Sequence, residues 1–174
     1  MSRQLLFEGL ESRHQIDPHQ LRCYANAARV RLDAHHKPPV DFDVASLSGK
    51  LTCLVGWSPT NDILRRSYNN SDDATRDGAY VLAFAAVEEL EGLISIGRAE
   101  TKTGADYYLA PAISTHEDFE SAVRLEVSGT DGTPPEVKRR LKMKQAQARS
   151  GLGNGPAIAA VVGFKSRLIL IDRA

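Results

Sequence analysis

The chain has 174 residues, 42% hydrophobic and 25% charged, with 22 basic and 22 acidic side chains and a formal net charge of zero. That length holds one core, or a core with a small appended subdomain, and the composition is that of an ordinary soluble globular protein. Zero net charge argues against binding nucleic acid through the whole surface, and the longest apolar run, "AYVLAFAAVEELEGLISI", is interrupted by glutamates and falls short of a bilayer span.

Near the start, "MSRQLLFEGLESRHQ" has no long apolar segment and no small-residue cleavage site, so a cytoplasmic setting without a membrane partner is expected. Cys23 and Cys53 are far apart in sequence and give neither a disulfide framework nor a zinc ligand set; both are expected to be buried as small hydrophobes. "IDPHQLRCYANAARVRLDAHH" reads as a first helix, with Asp17 as N-cap, Pro18 in the first turn and "KPP" as its stop. His35 and His36 diverge by about 100° on that helix, so they cannot face one metal and are expected at a frayed, solvated end.

Next, "VDFDVAS", a turn at "LSG" and "KLTCLVGW" make a β-hairpin, with Val40, Phe42 and Val44 on one face. The polar connector "SPTNDILRRSYNNSDD" holds a short amphipathic piece and is the best place for a boundary. It divides residues 1–70, a helix plus β-hairpin extension, from a core over 71–174, although the hairpin can equally extend a neighbouring sheet.

"DDATRDGAYVLAFAAVEELEG" is a helix with an acidic start and a glycine stop at Gly92. Ala79, Ala83, Ala86, Leu90 and Leu93 form a stripe of mostly small residues that lets it lie close to a sheet. Then come strands "LISIGRAE" and "ADYYLAP" around a turn at "TKTG", a polar stretch "AISTHEDFES", and a third strand "AVRLEVSG". Tyr107 and Tyr108 point to opposite faces of the second strand, one to the core and one free to line a cleft. After "TDGTPP" a helix runs through "EVKRRLKMKQAQARSG" to another glycine. The continuous apolar run "PAIAAVVGF" reads as a strand buried on both faces, and "RLILID" as a last one. The expected fold class is α/β, a mixed central sheet flanked by helices in the order helix-strand-strand-strand-helix-strand-strand, preceded by a helix and hairpin.

Chemistry gathers around "AVRLEVSGTDG", where Arg124, Glu126 and Ser128 alternate with Leu125 and Val127 and the strand breaks at Gly129. Asp106 opens the preceding strand. Neighbouring strands lie about 4.8 Å apart, so Asp106 and Glu126 on one face can share a divalent cation. The alternative is that Asp106 caps a turn while Glu126 joins Arg124 or Arg139 in an exposed ion pair. On the following helix, Lys144 falls with Val137, Leu141 and Ala148 within about 40°. It is therefore on the apolar stripe, where its ammonium either meets the two acids or snorkels to water. Between Glu136 and Arg149 six basic residues, including Lys138, Arg139 and Lys142, stand against one acid. Such a stripe either contacts phosphates or is a solvated helix face. "SGLGNGPA" lacks the lysine and hydroxyl of a phosphate-binding P-loop and reads as a plain loop, and no serine-hydrolase elbow or Cys/His pairing is present.

With "GADYYL" as a first motif and "RLEVSG" as a second, the run over residues 73–172 resembles the PD-(D/E)XK nuclease superfamily, a restriction-endonuclease-like fold. The resemblance implies Mg²⁺- or Mn²⁺-dependent phosphodiester hydrolysis of DNA. Asp106 and Glu126 would be metal ligands and catalytic residues, with a further metal-binding Glu from the first core helix, for which Glu88 is the candidate. Ser128 stands where the superfamily has a lysine; it can hold a water but carries no charge, so Lys144 is the replacement expected from the next helix. Polar residues of that helix, Gln145 or Gln147, would also approach the site, and Lys138, Arg139, Lys142 and Gln145 would meet nucleic acid. Nuclease-like domains serve prokaryotic defence systems as enzymes or as inactive subunits. A nucleic acid, a protein partner or a second copy of the chain are thus the partners in view.

Overall fold

The computed structural model describes residues 3–112 and 119–174; most of the polar stretch "AISTHEDFES" lies outside the described residues. The described residues fold into an α/β structure with four α-helices on an eight-stranded mixed sheet. Its elements are β1 (Arg3–Gln4), α1 (Pro18–Asp33), β2 (Val40–Ser46), β3 (Gly49–Val55), α2 (Asp62–Ser67), α3 (Ser71–Glu91), β4 (Leu93–Arg98), β5 (Tyr107–Pro111), β6 (Val123–Thr130), α4 (Pro134–Ser150), β7 (Ala157–Gly163) and β8 (Leu168–Arg173). The sheet order is β1-β3-β2-β8-β7-β6-β5-β4. β6 and β7, joined through α4, are parallel, as are β2 and β8; β4, β5 and β6 run antiparallel in succession.

The hairpin β2–β3 continues the sheet through β8, and α1 lies along α3, so residues on both sides of position 70 share one core. Gly78 makes that helix pairing close: a Cβ there would stand 2.7 Å from the Ala28 backbone. α3 in turn lies tight on β6, where a side chain on Gly129 would collide with the Thr75 carbonyl and press on Ala79. This is what small residues on a helix stripe permit. Among the described residues no helix is long and apolar enough to cross a membrane.

The helix ends follow their capping chemistry. The Asp17 carboxylate accepts from the N–H groups of His19 and Gln20, Asn70 does the same for Asp72 and Asp73, and Gly92 takes the left-handed conformation at φ 67°. α4 starts at Pro134, two residues earlier than its charge pattern predicts, because prolines need no N–H partner in a first turn. Its terminal Gly151 is not left-handed (φ −68°). It is needed because a side chain there would strike the Thr103 carbonyl of the β4–β5 loop.

Two expectations change. Cys53 is buried as anticipated, but Cys23 is exposed. His35 and His36 are not at a free end: His35 Nε2 is 3.0 Å from the Asp131 carboxylate, which Arg31 also meets, and His36 Nε2 bonds the Phe164 carbonyl at 2.8 Å. The sequence pattern ends at "KPP", but the β6–α4 and β7–β8 connections fold back over α1.

β4 is an edge strand with a register shift between Ser95 and Gly97. There the Ser95 N–H donates to His14 Nδ1 at 2.9 Å, and the Ser95 carbonyl accepts from the Gln15 N–H at 2.8 Å.

Candidate active site

The polar side of β6 is not a solvent face. Leu125, Val127 and Gly129 turn toward α3; Arg124, Glu126 and Ser128 turn the other way and lie under α4. Arg124 is buried, and its guanidinium donates to the carbonyls of Thr103 (2.7 Å), Ala148 (3.1 Å) and Gly155 (3.3 Å). It pins the β4–β5 loop and the loop before β7 to the C-terminal end of α4, where carbonyls lack helical partners. Glu126 is only 2% exposed, and Lys144 Nζ donates to its Oε1 at 2.6 Å and to Gln147 Oε1 at 3.1 Å. The inward lysine read from the stripe of Val137, Leu141 and Ala148 therefore meets an acid. The ion pair is a buried one to Lys144, not an exposed one to Arg124 or Arg139.

Asp106 sits one residue before β5. Continuing the register Tyr107↔Leu125 by one step sets it opposite Glu126, and its own N–H donates to the Leu125 carbonyl at 2.8 Å. One carboxylate oxygen accepts from the Val127 N–H (2.9 Å), the other from the Tyr80 hydroxyl of α3 (3.2 Å). Arg98, at the end of β4, stacks its guanidinium 4.7 Å from the Tyr107 ring centre and 5.3 Å from that of Tyr80, and places Nη2 3.7 Å from Asp106.

Asp106, Glu126 and Gln147 line two adjoining concavities. One, of about 660 Å³, runs between the N-terminal half of α3 and α4 past Arg76, Arg140 and Lys144. The other, of about 560 Å³, lies between the β4–β5 loop and the end of α4. The acids thus stand at the waist of a trough edged by Arg76, Arg140 and Lys144 and by the acidic Asp72 and Asp131. Burial, and next the negative charge of Asp106, push the Glu126 carboxyl above the ordinary glutamate range, against the pull of Lys144 and Arg98. Burial, and next Asp106, also push the Tyr80 phenol up, so it stays a hydrogen-bond donor.

Other predicted site residues lie elsewhere. Glu88 is at the far end of α3, held by Arg13 Nε (2.8 Å) and His14 Nε2 (3.2 Å), and lines a separate hollow. Its helical phase carries it away from Asp106. Gln145 bonds the Arg173 carbonyl beside β8 (2.6 Å), Lys138 borders a groove over the hairpin with Leu168 and Leu170, Arg139 pairs with Glu136 and Lys142 is exposed. Ser128 Oγ is 3.5 Å from Arg140 Nη1, so a guanidinium stands beside it. Tyr107 is in the core and bonds Tyr24, whereas Tyr108 bonds Glu100 and packs on Phe119.

Sequence reasoning missed Arg98, Tyr80 and Arg76, and took in Arg140 only as one of the six basic residues of the α4 stripe. Arg98 was legible only through the pairing Arg98↔Tyr107, which depends on the β4 bulge. Among the described residues no group of three or more His, Cys, Asp or Glu converges on a metal position. Two carboxylates with open space beside them are nonetheless a donor set that Mg²⁺ accepts, since it keeps several waters.

Sheet, helices and acidic waist together define an α/β protein with a candidate cation site between two strands and a covering helix. Neither a scan against protein-family models nor searches of curated proteins and of solved structures give a match.

Proposed function

We propose that the protein is a Mg²⁺- or Mn²⁺-dependent nuclease of the PD-(D/E)XK type that hydrolyses phosphodiester bonds of DNA. The observation that carries this reading is Asp106 and Glu126, from adjacent strands, lining one trough with Lys144 beside them. The run α3-β4-β5-β6-α4-β7 supports it, with an acid before its second strand and another within its third. Asp106, fixed by the Val127 N–H and the Tyr80 hydroxyl, and Glu126, fixed under α4, would hold the ion. Bound there, the ion would supply Lewis acidity toward water and phosphate. Lys144 would face the attacked phosphate in place of a lysine at 128, Ser128 would hold a water, and Arg76 and Arg140 would meet flanking phosphates.

The test is plasmid cleavage by the purified protein with Mg²⁺ or Mn²⁺, beside D106A. Cleavage reduced about 100-fold or more in D106A is expected. Cleavage that D106A leaves unchanged overturns the assignment. The second reading is an inactive nuclease-like subunit that binds a protein partner or nucleic acid. It is favoured by Ser128 at the lysine position and by Lys144 already neutralising Glu126. It predicts no cleavage by either form, with DNA or partner binding that survives D106A.

A further inference from the structure

Lys144 Nζ lies 2.6 Å from Glu126 Oε1, on the carboxylate that an ion shared with Asp106 would use. Glu126 is almost wholly buried, and its carboxylate opens onto both concavities, of which Lys144 lines the larger. A divalent ion on that carboxylate would stand close to the ammonium in a medium of reduced dielectric, and the two would repel strongly.

We infer that Lys144 is a tethered counter-cation, and that a divalent ion enters the site by exchange with it; this rests on the metal-binding reading of Asp106 and Glu126. The lysine stem rotates freely enough to make the exchange. Gln147 Oε1, already 3.1 Å from Nζ, keeps one partner for the ammonium after it leaves Glu126. A phosphodiester entering the trough beside Arg76 and Arg140 would be a further acceptor of matching charge, in competition with the Asp72, Asp106 and Asp131 carboxylates that line it. An incoming phosphate that draws Lys144 away therefore frees the carboxylate for the ion, and by linkage the ion favours the phosphate. Without a phosphate the site holds its own cation and takes metal weakly.

Calorimetric titration of the intact chain with Mn²⁺, in the absence of nucleic acid, tests this on the wild type, Lys144→Met and Lys144→Arg. Lys144→Met keeps the apolar stem and is expected to bind Mn²⁺ about tenfold tighter or better, whereas Lys144→Arg, still cationic, is expected to bind no more tightly than the wild type. Thermal melts of the three proteins confirm that each is folded. Wild-type binding that Lys144→Met leaves equal or weakens overturns the exchange and leaves the metal site standing. No binding by any of the three at millimolar Mn²⁺ overturns both.

Discussion

His14 is buried, and its two nitrogens are committed in different ways. Nδ1 accepts from the Ser95 N–H, so the ring carries its proton on Nε2 and donates it to Glu88. A second proton would break the Ser95 bond, and burial holds the imidazole below the usual histidine value despite Glu88 beside it. The sign follows from proton counting: as pH falls below about 6.5 the unfolded chain takes up a proton that the folded chain refuses, so stability is lost toward the folded value. The melting temperature of the wild type is expected to drop as pH falls below about 6.5, and that of His14→Asn to drop less steeply while starting lower, by about 1–2 kcal/mol of stability. Parallel pH profiles for the two proteins would refute the assignment. Nothing in "ESRHQ" marks His14 for this role, because its partners Ser95 and Glu88 are distant in sequence.

Among elements, the contacts of α3 with α1 and β6 carry the architecture of the trough. Gly78→Ala would push a methyl into the Ala28 backbone, and Gly129→Ala would push one into Thr75; each is expected to lower the urea midpoint by about 1–3 kcal/mol of stability without changing the m-value. Of the two, only Gly129→Ala also shifts β6 against α3, and it is expected to weaken Mn²⁺ binding as well. The alanine stripe of α3, the doubly buried β7 and the inward Lys144 were legible in the sequence because each follows from a local period. The fate of the polar side of β6 was not. Alternation separates two faces but does not say that a helix covers the polar one, and Arg124 finds its carbonyl partners on three segments that meet only in the fold. The position of Glu88 away from Asp106 was legible too, since helical phase sets it about 180° from the Ala79, Ala83 and Ala86 stripe.

At the scale of the molecule, the hairpin, α1 and the segment around Trp57 share one core with β4–β8. Trp57 is buried and donates its indole N–H to Asp33 at 2.6 Å, which places a fluorescent probe in the first 70 residues. Unfolding in urea followed by Trp57 fluorescence is expected to coincide with unfolding followed by far-ultraviolet circular dichroism, within about 0.2 M. Two separated transitions would mean that the N-terminal part melts on its own. The trough is mixed in sign: Asp72 and Asp131 line it as well as Arg76 and Arg140, and these arginines pair with Asp73 and Asp77 and with Glu136.

The ties that His14 and Gln15 make to Ser95 have a consequence for how molecules of this protein meet one another. A border strand offers amide and carbonyl groups to any passing chain, and stacking of one sheet on the rim of the next begins there. At the midpoint of β4 both groups are already taken by the N-terminal segment. His14 and Gln15 thus cover the middle of this border, and His14→Asn is expected to leave the Ser95 N–H open to a neighbouring chain.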